Sequence, residues 1–253
     1  MGTSNLNIIF NALGGSFAYG LNTPSSDIDK RGVFLNTDLK HIIGLDKYEH
    51  QQLVTEDEDN KYKELRRFFN LLREANTEAI ELLFMEDYIF CDSLFAEIRS
   101  QRERLLDSER LYKCLLGYMK GELARANGTR TGKLGGKRKA AIDKNGFSEK
   151  NFVQLYRLAW AGKIFFQKGY FPVNVRKEDP SFADTLLQIK VAPHFFNVEI
   201  LNEVASLAEA GLHKAYDNRT ISYEFDSDFA NEMILTAYYP ILSKSYSKLL
   251  IGK

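Results

Sequence analysis

The spacing of apolar residues changes along the chain from short runs to helical periodicity. Early runs, Ile8-Ile9-Phe10 and the segment from Arg31 to Leu35, predict strands, although the first could also end a helix. A further strand is predicted within residues 48–54. From Tyr62 the apolar spacing becomes about 3.6 residues, and one amphipathic helix carries Leu65, Phe68, Phe69 and Leu72.

Beyond residue 90 the pattern is helical almost throughout. Four helix starts are indicated by residues that cap helices well: Asn76 or Thr77, Ser93, Ser108 and Ser148. Gly169 indicates a helix end, and later helices are predicted near 197–214 and from Asp228, with Pro240 kinking or ending the last one. Pro172, Pro180 and Pro193 are interpreted as loop positions.

Composition narrows the class of protein. The 253 residues carry 34 basic and 34 acidic side chains, so net charge gives no argument for bulk nucleic-acid binding. The two cysteines have no metal-like spacing and indicate buried thiols in a reducing compartment. Residues 1–13 lack the features of a signal peptide and no run is long enough for a membrane helix, so we expect a cytoplasmic protein with no membrane partner.

The segment 14–34 carries the candidate chemistry. A Gly-Ser turn at Gly15 and Ser16 offers backbone N–H groups and a hydroxyl to a phosphate. On a strand, Asp27 and Asp29 would project to the same side, while Ile28 would point into the core. Two adjacent carboxylates favour a hard divalent cation bridging to a nucleoside triphosphate.

This segment resembles the signature of the DNA polymerase beta-type nucleotidyltransferase superfamily. Within it, residues 15–20, 23–29 and 31–34 resemble the RlaP family, the RNA-ligase-associated predicted nucleotidyltransferases of bacteria and large phages. Residues 76–84 resemble the family's Asn-Pro-Asn-x-x-Glu-Leu-Leu-Phe, with Thr77 in place of proline, and residues 150–158 its Lys-x-x-x-His-Leu-x-Arg-Leu, with Gln154 in place of histidine. Lys30 departs from the family's usual apolar residue, and the final third of the chain matches loosely.

The resemblance implies an α+β fold and an enzyme. The expected architecture is a small mixed-sheet, polymerase beta-like nucleotidyltransferase domain at 1–90, followed by a mostly helical domain at 91–253. The expected reaction moves an NMP from an NTP to an acceptor hydroxyl and releases pyrophosphate, with Mg²⁺ or Mn²⁺ as cofactor. The family's association with RNA ligases favours RNA as the acceptor.

The resemblance also implies the roles of single residues. Asp27, Asp29 and Asp59 are the expected catalytic and metal-binding residues, with Asp57 or Glu64 as alternatives for the third carboxylate. Arg31 shares the face of Asp29 and either contacts a phosphate or neutralises the acid pair. The expected triphosphate-binding residues are Gly15, Ser16, Arg31, Lys150 and Arg157, although the last two could instead form salt bridges between domains.

The segment 125–139 is basic, contains four glycines and has no acid. It is either an exposed loop between helices or a flexible arm for a triphosphate or an RNA backbone. Its candidate nucleic-acid contacts are Arg130, Lys133, Lys137 and Arg138.

Two other function classes stay open at this point. The enzyme could modify a protein or a small molecule, or the chain could be a non-catalytic nucleotide-binding protein that kept the fold. The residues fix neither the base of the NTP, nor the acceptor, nor the oligomeric state.

Overall fold

The computed structural model describes residues 7–44, 52–54, 60–130 and 135–251, and only the backbone of 52–54, 137 and 245–251. Five described strands form one mixed sheet in the order β3-β4-β2-β1-β5. Their bounds are Asn7–Leu13 (β1), Lys30–Leu35 (β2), Gln52–Val54 (β3), Lys61–Glu64 (β4) and Phe90–Cys91 (β5). The predicted α+β fold with a small mixed sheet and many helices is confirmed.

Helices are interspersed with the sheet strands up to β5, and beyond it the described part of the chain contains helices but no further strand. The first five are Gly15–Ala18 (α1), Leu39–Ile42 (α2), Leu65–Arg73 (α3), Thr77–Phe84 (α4) and Ser93–Ser100 (α5). The others are Ser108–Ala126 (α6), Gly136–Asn145 (α7), Glu149–Lys168 (α8), Val175–Glu178 (α9), Pro180–Val191 (α10), Val198–Asp217 (α11) and Ser227–Ile251 (α12). Short 3₁₀ turns lie at Arg102–Leu105 and Pro193–Phe195.

The chain forms two compact units that do not follow a single cut in the sequence. The first unit comprises residues 1–18, 25–107 and 223–253, and the second comprises 19–24 and 108–222. Domains are defined by independent folding rather than by contacts. The predicted domains 1–90 and 91–253 therefore stay a prediction.

The sheet of the first unit is organised around β2. This strand pairs antiparallel with β1 and parallel with β4, while β3 and β5 pair antiparallel with β4 and β1 at the two edges. On one face, Phe10 of β1 stacks on Phe95 at a centroid distance of 4.4 Å, and Phe68 lies 5.5 Å from Phe95. All three rings are fully buried.

Several predicted helix ends are confirmed. Asn76 caps α4 by accepting a hydrogen bond from the backbone N–H of Ala79. Ser148 precedes α8, and Gly169 ends it in the left-handed conformation with φ 82°. The start predicted at Ser93 is one residue late, because the Asp92 carboxylate accepts from Phe95 N and is the cap of α5.

Other helix and strand boundaries differ from those that the apolar spacing predicts. Residues from Tyr62 to Glu64 continue β4, since this strand pairs with β2, and the helix begins only at Leu65. Pro180 starts α10 rather than a loop, because the first turn of a helix needs no N–H from that residue. Pro240 lies inside α12, which does not end there.

In the second unit, α8 packs tightly against α6 and α11. Gly162 permits this contact, because a Cβ at that position would lie 2.5 Å from Leu115 Cδ1 and 2.9 Å from Leu212 Cδ1. Real Cβ atoms do not approach other atoms so closely. The absence of a side chain at Gly162 therefore fixes the spacing of the three helices.

Gly162→Val should destabilise the protein by about 1–3 kcal/mol, because its branched side chain overpacks this contact. The matched control is Gly117→Ala on α6, where a Cβ meets nothing within 4 Å. That change should stabilise by about 0.5–1 kcal/mol through helix propensity. Urea unfolding followed by circular dichroism measures both, and equal effects of the two variants would contradict the packing argument.

Candidate active site

The two halves of the candidate site meet where β1 ends and β2 begins. Leu13 pairs with Lys30 in the antiparallel ladder, and the next pair is closed by Gly14 N donating to Asp29 O at 2.8 Å. The backbone therefore brings the residue before the Gly-Ser turn beside the second acid of the Asp-Ile-Asp motif. The chain of residues 15–28 therefore starts and finishes at the same end of the β1–β2 ladder.

Gly15 lies directly against the carboxylate of Asp29. A Cβ at residue 15 would stand 2.7 Å from Asp29 Oδ2, and Gly15 has a φ of 56°, in the left-handed region. Both the space and the backbone angle require glycine here. The predicted turn is a single helical turn, α1, which also contains Ser16 and begins at Gly15.

Arg31 packs beside the same acid. Its Nη2 lies 3.6 Å from Asp29 Oδ2, its Nη1 donates to Lys30 O at 2.9 Å, and its stem covers Gly14. The side chains of Arg31 and Asp29 are only 16% and 19% exposed. This ion pair with Asp29 is consistent with one of the two roles predicted for Arg31, neutralisation of the acid pair.

The alternation predicted across Asp27, Ile28 and Asp29 is wrong for Ile28. β2 begins only at Lys30, so Asp27, Ile28 and Asp29 precede the strand and strand alternation does not apply to them. Ile28 is 60% exposed rather than directed into the core, and Asp27 is exposed as well. Asp29 is held more closely than Asp27, through Gly14, Gly15 and Arg31.

Of the candidates for the third carboxylate, Asp59 and Asp57 lie outside the described residues. Their neighbour Asn60 is buried, and its Oδ1 accepts from Lys30 N at 2.9 Å. Glu64 is buried at the other end of β4, where it caps α3 through Arg67 N at 3.1 Å and accepts a hydrogen bond from Tyr238 Oη. These contacts give Glu64 a structural role.

The register of β2 and β4 also separates Glu64 from Asp29. Arg31 pairs with Lys61 and Phe34 pairs with Glu64, so Glu64 lies about five residue steps beyond the level of Asp29. At the rise of a strand this is about 16 Å. Two carboxylates so far apart cannot share a metal ion.

The predicted triphosphate-binding residues of the second unit have different environments. Both lie on α8, but Lys150 is exposed, whereas Arg157 is 1% exposed. The Arg157 guanidinium lies over the ring of Tyr19, 3.6 Å from its centroid, and its Nε donates to Gln154 at 3.2 Å. Their role in binding triphosphate stays a prediction.

Sequence reasoning missed Lys190. Its ammonium donates to the carbonyl of Leu21 at 2.7 Å. Burial, and then the positive charge of Lys150, lower the pKa of Lys190. No motif marks this lysine, because the contact joins α10 to a segment 169 residues earlier in the chain. Tyr19, by contrast, lies inside the motif 15–20 and could have been singled out there.

The basic segment is partly built into the second unit. Arg138 Nε donates to Asn151 Oδ1 at 3.1 Å, Asn151 donates to Glu122 at 2.5 Å, and Arg125 pairs with Glu122. Arg138 thus already takes part in an internal polar cluster, whereas Arg130 is exposed. Lys133 and the side chain of Lys137 lie outside the described part of the chain. The nucleic-acid contacts proposed for this segment stay predictions.

Within the described residues, no group of three or more His, Cys, Asp or Glu side chains could hold a metal ion. No helix there is long and apolar enough to cross a bilayer.

Comparison with known families decides the relationship. A family model described as the RNA repair pathway DNA polymerase beta family, RlaP, matches residues 2–221. The chain belongs to the RlaP family. The suspected resemblance is confirmed, and the chain is, in general terms, a nucleotidyltransferase of the polymerase beta type. A search of curated proteins found no match.

In this RlaP-family chain, Gly15→Ala should displace the Asp29 carboxylate, because its Cβ would occupy the space 2.7 Å from Oδ2. The left-handed φ adds a cost of about 1 kcal/mol or more. Thermal unfolding and a crystal structure of the variant measure the two effects. An unchanged stability together with an unmoved Asp29 would contradict this account of the site.

Proposed function

We propose that the protein transfers an NMP from an NTP to a hydroxyl group of RNA and releases pyrophosphate. The observation that carries this proposal is that the Asp29 carboxylate lies where a side chain on Gly15 of the Gly-Ser turn would stand. An acidic residue thus lies beside a turn that offers backbone N–H groups. Such a segment can bind a triphosphate and a cation together, which are the two parts of an NTP substrate.

Asp27, Asp29 and Asp59 are proposed to hold Mg²⁺ or Mn²⁺. Carboxylate oxygens are the ligands that these hard cations prefer, and the exposed position of Asp27 leaves its oxygens accessible. The weak 3.6 Å pairing of Asp29 with Arg31 does not saturate the carboxylate. When bound, the cation would supply charge neutralisation to the phosphate oxygens.

Asp59 is the proposed third carboxylate. Its support is that Asn60, the next residue, bonds through its side chain to the backbone of Lys30, the residue that follows Asp29. Asp29 directly precedes Lys30 and Asp59 directly precedes Asn60, and the 2.9 Å hydrogen bond joins Lys30 to Asn60. Asp57 is the remaining alternative, and Glu64 is not proposed because of its distance and its capping role.

The triphosphate is proposed to lie against the turn at Gly15 and Ser16, with Arg31 balancing the charge of phosphates and acids. Lys150 is an exposed ammonium that could take part, and Arg157 is reconsidered below. In the transfer step, the acceptor oxygen forms a bond to the α-phosphorus. The bond from that phosphorus to the bridging oxygen breaks, and pyrophosphate leaves. The proton of the acceptor is proposed to pass to the Asp59 carboxylate.

RNA is the proposed acceptor class because the family description names an RNA repair pathway. The exposed Arg130 supports this choice, since a guanidinium in the basic segment can pair with backbone phosphates. Lys133, Lys137 and Arg138 are carried as proposed contacts of the same segment. A net charge of zero means that any such binding must be local.

Asp27→Asn and Asp29→Asn should each reduce nucleotidyl transfer by about a hundredfold or more, because removing one member of a catalytic unit typically costs that much. The assay incubates the protein with each α-labelled NTP, Mg²⁺ or Mn²⁺, and total RNA. The matched control is Asp38→Asn. Asp38 caps α2 beyond the opposite end of β2, its side chain is 52% exposed, and asparagine caps equally well.

Label in RNA that is lost with both site variants and kept with the control supports the proposal and identifies the base. Label appearing only in protein or in small molecules would overturn RNA as the acceptor. Metal-dependent NTP binding without transfer to any acceptor in a whole-cell lysate would favour a nucleotide-binding protein that kept the fold.

A further inference from the structure

Residues 19–24 connect the Gly-Ser turn to the Asp-Ile-Asp segment, yet they belong to the second unit. Residues up to 18 and from 25 onward belong to the first unit. We call Tyr19–Pro24 the strap. It is covalently joined to α1 on one side and, through Ser25 and Ser26, to Asp27 on the other. The strap is therefore the stretch of chain that links the two halves of the candidate site.

The strap backbone is bonded within the second unit at Tyr19 and at Leu21. Val175 N donates to Tyr19 O at 3.0 Å, and Lys190 Nζ donates to Leu21 O at 2.7 Å. The side chain of Leu21 is 2% exposed. These contacts come from α9 and α10, which lie about 150 or more residues later in the chain.

Gly20 shows how closely the strap packs. Its φ is 67°, and a Cβ there would lie 2.5 Å from Arg176 Cβ and 2.6 Å from Asn174 Oδ1. Only glycine meets both conditions. The strap thus packs closely against the start of α9 at Gly20.

Arg157 also contacts the strap, through the ring of Tyr19. The guanidinium carbon lies 3.6 Å from the ring centroid, and the side chain is 1% exposed. A cation on an aromatic face is bound most strongly when water is excluded. Because Arg157 is buried, we expect its cation–π interaction with Tyr19 to be a strong one. Gln154 Oε1, one turn earlier on α8, accepts from Arg157 Nε and orients the guanidinium.

We propose that Arg157 is a positioning residue that acts through Tyr19 on the strap, rather than a ligand of the triphosphate. The inference rests on the proposed function for its effect on transfer, but the contact itself does not. By holding Tyr19, Arg157 restricts the residue that immediately follows α1. Since Tyr19 is covalently joined to Ala18, the last residue of α1, this restricts the chain where it leaves the Gly-Ser turn.

The test compares two substitutions of Tyr19, which is only half-buried and so can be changed without opening the core. Tyr19→Leu removes the aromatic face and should lower kcat/KM for the NTP by about tenfold, the effect of one desolvated cation–π contact. Tyr19→Phe keeps that face and should retain most activity. The control is Tyr216→Leu, which removes the ring under Arg219, at 3.8 Å, together with its contacts with Tyr112 and Phe166, in the same unit but away from the strap sequence.

A double variant separates the positioning role from direct binding. If Arg157 acts through Tyr19, Arg157→Lys combined with Tyr19→Leu should lose no more activity than the worse single variant. If the activity losses of the two single variants multiply in the double variant, the proposal is overturned and direct contact between Arg157 and the triphosphate is favoured. A fully active Tyr19→Leu would have the same meaning.

Hydrogen exchange provides a readout that does not depend on catalysis. The amide of Val175, which donates to Tyr19 O at 3.0 Å, should exchange at least about tenfold faster in Tyr19→Leu than in the parent or in Tyr19→Phe. If the parent shows no nucleotidyl transfer, the proposed function fails, while this measurement still decides the role of the Arg157–Tyr19 contact. Unchanged exchange in Tyr19→Leu would overturn the inference by itself.

Discussion

The carboxylate of Asp29 occupies the space that a side chain on residue 15 would need, and the candidate site depends on this contact. It follows from the ladder between β1 and β2, which ends with Gly14 N bonded to Asp29 O. Because an antiparallel ladder brings the end of one strand beside the start of the next, the two ends of residues 15–28 lie side by side. Sheet pairing thus supplies the proximity that the proposed chemistry requires.

Charge balance is the second constraint on the site. Asp29 is mostly buried, and its partner Arg31 lies at a distance longer than a hydrogen bond. A divalent cation would bind the same oxygens more strongly than this loose pair, and Arg31 could then turn toward a phosphate. The two roles predicted for Arg31 therefore describe states before and after substrate binds in our proposal. The contacts of the strap with α8, α9 and α10 add a further constraint, because the strap is the segment of chain between the turn and the acids.

Long helices and motifs could be predicted from the sequence. Elements whose structure depends on a residue far away in the chain could not. Helix α8 was predicted from its cap to its terminal Gly169, because twenty residues of periodic spacing outweigh local ambiguity. The short strand β4 was partly assigned to a helix, since only its pairing with β2 makes it a strand. The helix α7 was missed in a glycine-rich basic segment, and α10 because Pro180 was interpreted as a loop residue.

The same distinction applies to the candidate site. Gly15, Asp27 and Asp29 could be selected from their spacing, but the outward position of Ile28 could not, because strand alternation was extended to residues that precede the strand. Asn60 and Lys190 carry no motif, and their contacts join residues far apart in sequence. Tyr19 lay within a recognised motif, yet its partner Arg157 is visible only in the fold.

The most direct test of the central claim is a crystal structure with Mn²⁺ and an NTP analogue that cannot be cleaved between the α- and β-phosphates. Anomalous scattering would locate the metal independently of any assumed position. We predict Mn²⁺ bound to the carboxylates of Asp27 and Asp29, with terminal phosphates against Gly15 and Ser16. Well-ordered nucleotide and metal bound elsewhere, with neither carboxylate as a ligand, would contradict the account.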